Sequence, residues 1–241
     1  MLISDLHSCD FGQRQKVLVD KIKEHHPDAL LYAGDIADDH LPHDNTVILL
    51  EELYQDYPGF YVSGNHEFWS GEVEQIKDYF QSFEVKVLEG DSALLKVNEQ
   101  KIIICGIDDP EIGESEFLKQ LEQSSAQSDI ELLSVLLAHR PERINQYLEY
   151  DFDLILSGHA HGGQWRIPGI INGLYAPNQG FFPPYAGGIY QHGETWHIVS
   201  RGLAKESTRI PRIFNRPELV IIRLVPYESG KNYPVIGLPW D

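Results

Sequence analysis

Apolar positions set two alternating rhythms along the first third of the chain. Met1–Ser4, Ala29–Ala33 (ALLYA) and Phe60–Ser63 (FYVS) are short, nearly continuous apolar runs, the mark of buried strands. Helical spacing lies between them. Gln13–His25 places Val17, Leu18 and Ile22 on one face and meets Pro27 as a stop; Thr46–Asp56 does the same with Val47, Leu50 and Leu53 or Tyr54. Gly71–Ser82 reads as a third helix. This β-α-β-α-β-α order predicts parallel strands with helical crossovers.

The rhythm then changes. Glu84–Leu88, Ala93–Val97 and Lys101–Gly106 read as strands, the last two joined by an Asn98–Glu99–Gln100 turn. Glu114–Gln123 reads as a helix. Leu132–Ala138 and Leu154–Ser157 read as strands flanking a short helix, Arg143–Tyr150. Gly162–Gly188 is rich in Gly, Pro and aromatics and reads as a long loop; Ile189–Gln191, Trp196–Ser200 and Leu219–Leu224 read as closing strands. No stretch resembles a linker. The expectation is therefore one domain over residues 1–241, of α/β class, with two packed sheets and helices outside.

Composition narrows the function classes. The 241 residues suffice to bury a core. A net charge of −18 argues against a general polynucleotide binder. It does not exclude phosphate chemistry, because bound cations invert the local field. Cys9 and Cys105 are the only cysteines and form no CxxC pair, which fits a reducing compartment. No apolar run approaches the ~20 residues that span a bilayer. Asp5 and His7 interrupt any leader-like segment at the start, so the chain is expected to be cytoplasmic.

The chemistry sits directly after the strands. Asp5-Leu6-His7 follows the first, Gly34-Asp35-Ile36-Ala37-Asp38 the second and Gly64-Asn65-His66-Glu67 the third. His139 follows LLSVLLA, and Gly158-His159-Ala160-His161 follows DLILS. Parallel sheets bind ligands beyond the carboxyl ends of their strands, so these five sets should converge in one cleft. Five of the 11 histidines fall in these positions. Alternation along an extended chain would aim both members of Asp5-x-His7, and of His159-x-His161, the same way. The preceding glycines permit a tight turn or close backbone approach. Any one of these pieces alone is an ordinary turn or a satisfied histidine. The ordered set of five reads as a metal site.

The series DLH, GDIAD, GNHE, a lone His and GHAH resembles the calcineurin-like metallophosphoesterase superfamily, over Asp5 to His161. The stretch GHAHGGQ, then APNQGFFPPYAGGIY and SRGL, is similar to a bacterial phosphodiesterase branch that includes enzymes cleaving the pyrophosphate of a UDP-diacylglucosamine lipid precursor. The resemblance implies a four-layer αββα sandwich and two metals about 3.5–4 Å apart. It implies that Asp5, His7 and His161 bind one ion, that Asn65, His139 and His159 bind the other, and that Asp35 bridges them. Such an O/N donor set without thiolate suits Mn foremost, and also Fe, Zn or Co. A metal-bridging hydroxide would attack phosphorus, and His66 would stabilise the transition state or protonate the leaving oxygen. Asp38 would orient His66, or cap a helix after the GD turn.

Protein phosphatases of this superfamily carry arginine soon after GDxxD. Here Asp38 is followed by Asp39 and His40, which shifts the expected substrate toward diesters or pyrophosphates, as small molecules or lipid-linked. The aromatic loop with Trp165, Tyr175, Phe181, Phe182, Tyr185 and Tyr190 reads equally as a binder of acyl chain or nucleobase and as satellite core. Arg201, Lys205, Arg209, Arg212, Arg216 and Arg223 form a locally basic stretch. It reads as a solvated face, or as a peripheral contact to anionic lipid headgroups. Cys9 reads as packing rather than a ligand. A metal-dependent nuclease and a non-catalytic metal scaffold are the alternative readings. Acidity counts against the first and the intact ligand set against the second.

Overall fold

The computed structural model describes residues 1–127, 131–167, 169–205, 211–225 and 238–239. Its first half runs β1 (Leu2–Ile3), α1 (Lys16–Glu24), β2 (Leu30–Ala33), α2 (Asp44–Leu53), β3 (Gly59–Val62), α3 (Asn65–Trp69), α4 (Val73–Ser82) and β4 (Lys86–Val87). These four strands pair in chain order, all parallel. The helices are crossovers, as the alternating rhythm requires. On α1 the buried face is Leu18, Val19 and Ile22, while Val17 is exposed. A kinked 3-10 turn at Gln13–Gln15, with Arg14 and Gln15 at positive φ, precedes the helix. The buried Gln15 amide ties that turn to the carbonyl of Cys9. The regular helix thus starts later than the apolar spacing suggests.

The second half runs β5 (Asp91–Val97), β6 (Gln100–Gly106), α5 (Glu114–Ala126), β7 (Leu133–Leu137), α6 (Ile144–Tyr147) and β8 (Leu154–Ser157). It continues through β9 (Tyr175–Ala176), β10 (Gly180–Phe181), β11 (Gly188–His192), β12 (Thr195–Val199), β13 (Glu218–Leu219) and β14 (Leu238–Pro239). The larger sheet has the order β11-β12-β8-β7-β6-β5. Its four inner strands are parallel, and the edges β5 and β11 are antiparallel to their neighbours.

Three apolar layers separate four structural ones. Leu2, Leu31, Val62 and Leu88 from the first sheet meet Leu95, Ile104, Val135, Leu156 and Ile198 from the second. The outer face of the first sheet (Ile3, Tyr32, Tyr61) packs on Leu18, Leu50, Ile76 and Phe80 of α1, α2 and α4. The outer face of the second (Ile103, Cys105, Leu136, Ile155) packs on Phe117, Leu121, Ile144 and Tyr147 of α5 and α6. The fold is therefore a four-layer αββα sandwich of α/β class. Strands buried on both faces explain why these segments read as apolar runs without alternation.

Two later segments also differ from their sequence reading. The Gly162–Gly188 loop contains the β9–β10 hairpin. Among the described residues the strand expected at Leu219–Leu224 is short: β13 ends at Leu219, and Val220 makes an antiparallel bridge to Leu2. That bridge, with the Leu203 amide on the carbonyls of Ser4 and Asp5, fastens the C-terminal segment to the edge strand β1.

Candidate metal centre

The carboxyl ends of β1, β2, β3, β7 and β8 deliver Asp5, His7, Asp35, Asn65, His139, His159 and His161, and all seven are buried. Donor atoms of Asp5, His7, Asp35 and His161 lie within 4.8 Å of one another, as do those of Asp35, His139 and His159. Asp35 belongs to both groups. Asn65 opens α3, and the neighbouring His66 N–H donates to Asp35 Oδ1 at 2.9 Å. Cys9 lies outside these groups and its Sγ accepts from the Lys205 amide at 3.3 Å.

The local backbone differs from the alternation expected of a strand. Asp5 (φ 49), His7 (φ 50), Asp35 (φ 53), His159 (φ 66) and His161 (φ 47) all lie in the left-handed region. For non-glycine residues that conformation is uncommon and strained, and it recurs at functional sites. The side chains of each D-x-H or H-x-H pair therefore converge through tight left-handed turns, not through pleating. Two glycines make room. A Cβ on Gly64 would collide with the Asp35 carboxylate, and one on Gly158 would fall 2.6 Å from Asp5 Oδ2.

Hydrogen bonds set which ring nitrogen of each histidine faces inward. His139 Nδ1–H donates to the Ala33 carbonyl at 2.7 Å, so Nε2 faces Asp35 Oδ2 at 3.0 Å. His7 Nδ1–H donates to Asp38 Oδ2 at 3.1 Å, so Nε2 faces His161 Nε2 at 3.3 Å and Asp35 Oδ2 at 3.7 Å. Such outer partners fix tautomer and orientation in metal-ligating histidines.

The expected Asp38–His66 contact is a long one. Asp38 Oδ1 is held by the N–H groups of His40 and Leu41, which turns Oδ2 toward His7 and leaves it 3.9 Å from His66 Nδ1. Asp39 takes the His66 Nδ1–H instead, at 2.6 Å. Nor does Asp38 cap a helix, since α2 begins at Asp44. Glu67 has a role that sequence reasoning left open. Its two oxygens accept the backbone N–H groups of Gly64, Asp35, Ile36 and Ala37 at 2.7–3.0 Å, which locks the GD and GN turns together. An acid at the third position of a helix is a recognisable sign of such a clamp.

Electrostatics expose an unmet need for positive charge. Burial opposes ionisation of Asp35, but His139 and His7 overcome it and hold the carboxyl well below its usual range. Burial pushes Asp5 upward against the pull of His139. Burial disfavours a charged His139, yet Asp35 raises its imidazole to about 10. Burial drives His159 and His161 well below the ordinary histidine value, with help from His139 and His7 respectively. Burial and then Asp35 push Glu67 up to about 7. Asp5 Oδ2, Asp35 Oδ2, Asn65 Oδ1 and His139 Nε2 are all buried without a hydrogen-bond partner. Asp35 Oδ2 and His139 Nε2 face each other as an ion pair, but Asp5 Oδ2 and Asn65 Oδ1 have no such partner, and leaving a buried polar atom unpaired costs several kcal/mol. Divalent cations satisfy this oxygen and imidazole set directly, so the residues present suit metal ions.

The two weaker features divide. Phe181 and Phe182 are exposed on the loop, whereas Tyr185 and Tyr190 pack on Ala160, Ala176 and Val199 as a satellite core. Of the basic stretch, Arg201 pairs with Glu218, Arg212 Nε donates to the Ala204 carbonyl, and Lys205 lies over the Phe11 ring. Arg209 falls outside the described residues. No helix among the described residues is long and apolar enough to cross a membrane.

A sandwich with five strand ends feeding one buried cluster of metal-capable donors defines a candidate metal centre. The sequence comparisons specify it further. Residues 1–163 match the calcineurin-like phosphoesterase family. The metallophosphoesterase YkuE of Bacillus subtilis is 31% identical over 92% of this chain, which spans 77% of that protein. A Helicobacter pylori metallophosphoesterase is 28% identical over 94% of the chain, which spans 59% of that relative. A Bos taurus transmembrane protein with a metallophosphoesterase domain is 27% identical, with the chain spanning 48% of it. Among solved structures, phosphopantetheinyl hydrolase of Mycobacterium tuberculosis has a TM-score of 0.55 at 14% identity, over 82% of this chain and 86% of its own. Haemophilus influenzae NAD nucleotidase has 0.56 at 15%, over 83% and 44%. These two likenesses concern the fold alone. The chain belongs to the calcineurin-like phosphoesterase family, a metal-dependent class of hydrolases acting on phosphoric esters.

Proposed function

We propose that the chain holds two divalent ions, Mn foremost, and hydrolyses a phosphodiester or pyrophosphate bond. The observation that carries this reading is the pair of donor groups sharing Asp35, lined by buried donor atoms that lack partners. Asp5, His7 and His161 would hold one ion, Asn65, His139 and His159 the other, with Asp35 between them. When bound, the ions supply a water-derived nucleophile near neutral pH and Lewis-acid stabilisation of the phosphoryl oxygens.

The protein's own groups do the rest. Asp38 keeps the His7 Nε2 lone pair facing inward. Glu67 holds the backbone of Asp35 in its strained conformation. His66, its Nδ1–H bound by Asp39, can present Nε2 to the leaving oxygen and protonate it. Asp39 and His40 stand where phosphoprotein phosphatases of the superfamily have arginine. That favours a small or lipid-linked diester or pyrophosphate, which needs less neutralising charge than a monoester dianion. Phe181 and Phe182 are exposed on the loop whose Asn178 reaches His159, which favours a substrate with an apolar portion. The reading takes residues 1–241 as one domain, supported by the attachment of the C-terminal segment to β1 and Asp5.

The test is Mn titration by calorimetry, followed by rates on bis-p-nitrophenyl phosphate, p-nitrophenyl phosphate, a lipid-linked nucleotide sugar and duplex DNA. Two equivalents of metal and a preference for the diester or pyrophosphate are expected. One equivalent, or a preference for the monoester or for DNA, would overturn the reading.

A further inference from the structure

The His159 imidazole is contacted from outside the donor cluster by a residue of the long loop. Asn178 Oδ1 lies 3.0 Å from His159 Nε2. The same oxygen accepts from Arg140 Nη1 at 2.7 Å. An amide oxygen has two lone pairs and only accepts, so it can take both donors at once. Which amide atom faces them is fixed by Arg140, which has nothing but N–H to offer. For that oxygen to take the His159 contact as a hydrogen bond, Nε2 carries the proton. Nδ1 is left as the ring nitrogen with a free lone pair. The competing arrangement, Arg140 Nη1 donating to a bare Nε2, has the longer contact, 3.2 Å against 3.0 Å. The shared acceptor holds the two nitrogens close.

Arg140 is itself locked. It directly follows His139 and is buried, and its Nε and Nη2 make a bidentate pair with Asp109 at 2.6 and 3.0 Å. Nη2 also reaches Glu111 at 3.3 Å. The Asp109 amide in turn donates to Ser63 Oγ, at the end of β3. Asn178 is placed with equal care. It sits at the tip of the β9–β10 hairpin with φ 59, a conformation that asparagine tolerates better than most residues. Gln179 closes the loop behind it by bonding both the N–H and the carbonyl of Tyr185.

We propose that Asn178, held by Arg140, is a positioning residue that fixes the tautomer and ring orientation of His159 and so completes the second half-site. This rests on the two-ion reading above. The aromatic loop thereby acquires a structural link to the metal centre that its apolar residues alone do not provide. Removal of such an outer partner costs about 10–100-fold in metal affinity or activity.

Two measurements test this. In the metal-free protein with 15N-labelled histidine, long-range 1H–15N correlation spectra read the His159 tautomer directly. The Nε2–H form is expected in the wild type and a mixture in Asn178→Ala. In Mn calorimetry, Asn178→Ala should weaken one of two binding events by about 10–100-fold and leave the other unchanged. Asn178→Asp, which keeps the acceptor, should restore most of the loss. If Asn178→Ala does not fold, Arg140→Lys serves, with a smaller loss in the same event. A wild type that binds fewer than two ions would defeat the two-ion reading. Two ions bound equally well by wild type and Asn178→Ala, with an unchanged tautomer, would overturn the positioning role.

Discussion

Adjacent aspartates at 38 and 39 show how much one side-chain rotation decides. Both lie in the same turn, yet Asp38 bonds His7 and Asp39 bonds His66. Asp38→Asn should therefore weaken metal retention, by about 10–100-fold for one ion, because the His7 tautomer is no longer enforced. Asp39→Asn should leave metal binding intact and lower kcat with KM nearly unchanged, because His66 loses its orienting partner. Metal titration beside steady-state kinetics separates the two. Equal effects of both variants on metal affinity would refute the division. The sequence placed every candidate ligand after a strand because residue type and spacing carry that signal. It could not choose between neighbouring acids, since the choice depends on Asp38 accepting the N–H groups of His40 and Leu41. The left-handed conformations of Asp5 and His7 were equally hidden, as nothing in D-L-H distinguishes a turn from a pleat.

At the scale of elements, apolar runs were legible wherever burial on both faces made them continuous, as in Leu154–Ser157. They run on past Leu219, where Ile221 and Ile222 pack as partly buried apolar residues on the core and pair with no strand among the described residues. The short helix α3 escaped notice because its five residues carry chemistry instead of periodicity. One element contact was invisible in sequence. Lys77 of α4 is buried, with Nζ 3.0 Å from Asp108 beyond β6 and 2.5 Å from Glu89. Burial lowers its pKa, but Asp108 and Glu89 more than compensate and keep it charged. Asp108 also accepts from Ser63 Oγ, so this ion pair braces α4 against the strand ends that carry the site. Lys77→Met leaves the Asp108 carboxylate buried without its cation. It should lower stability by about 3–5 kcal/mol in urea unfolding. A change below 1 kcal/mol would mean that the pair contributes nothing net.

For the molecule as a whole, the sandwich concentrates uncompensated charge at the strand ends and keeps a neutral histidine buried in its larger sheet. His197, on β12, is buried, and burial with nearby His192 lowers its pKa to about 3. The unfolded chain binds a proton there near pH 6.5, so it holds more protons than the folded chain between these values. The stability from a neutral His197 is complete above about pH 6.5 and is lost as pH falls toward 3, by up to ~1.4 kcal/mol per pH unit. Urea unfolding from pH 7 to 4 should show this slope, and His197→Phe should reduce it by up to one proton. An identical slope in both proteins would refute it. The central claim concerns the donor cluster, where Asp35 joins both donor groups and His139 faces it. Its most direct test is Mn-supplemented hydrolysis of bis-p-nitrophenyl phosphate by the wild type and by the Asp35→Asn/His139→Ala double variant. The account predicts metal-dependent turnover in the first and a loss of at least ~10³-fold in the second. Wild-type rates surviving in the double variant would contradict it.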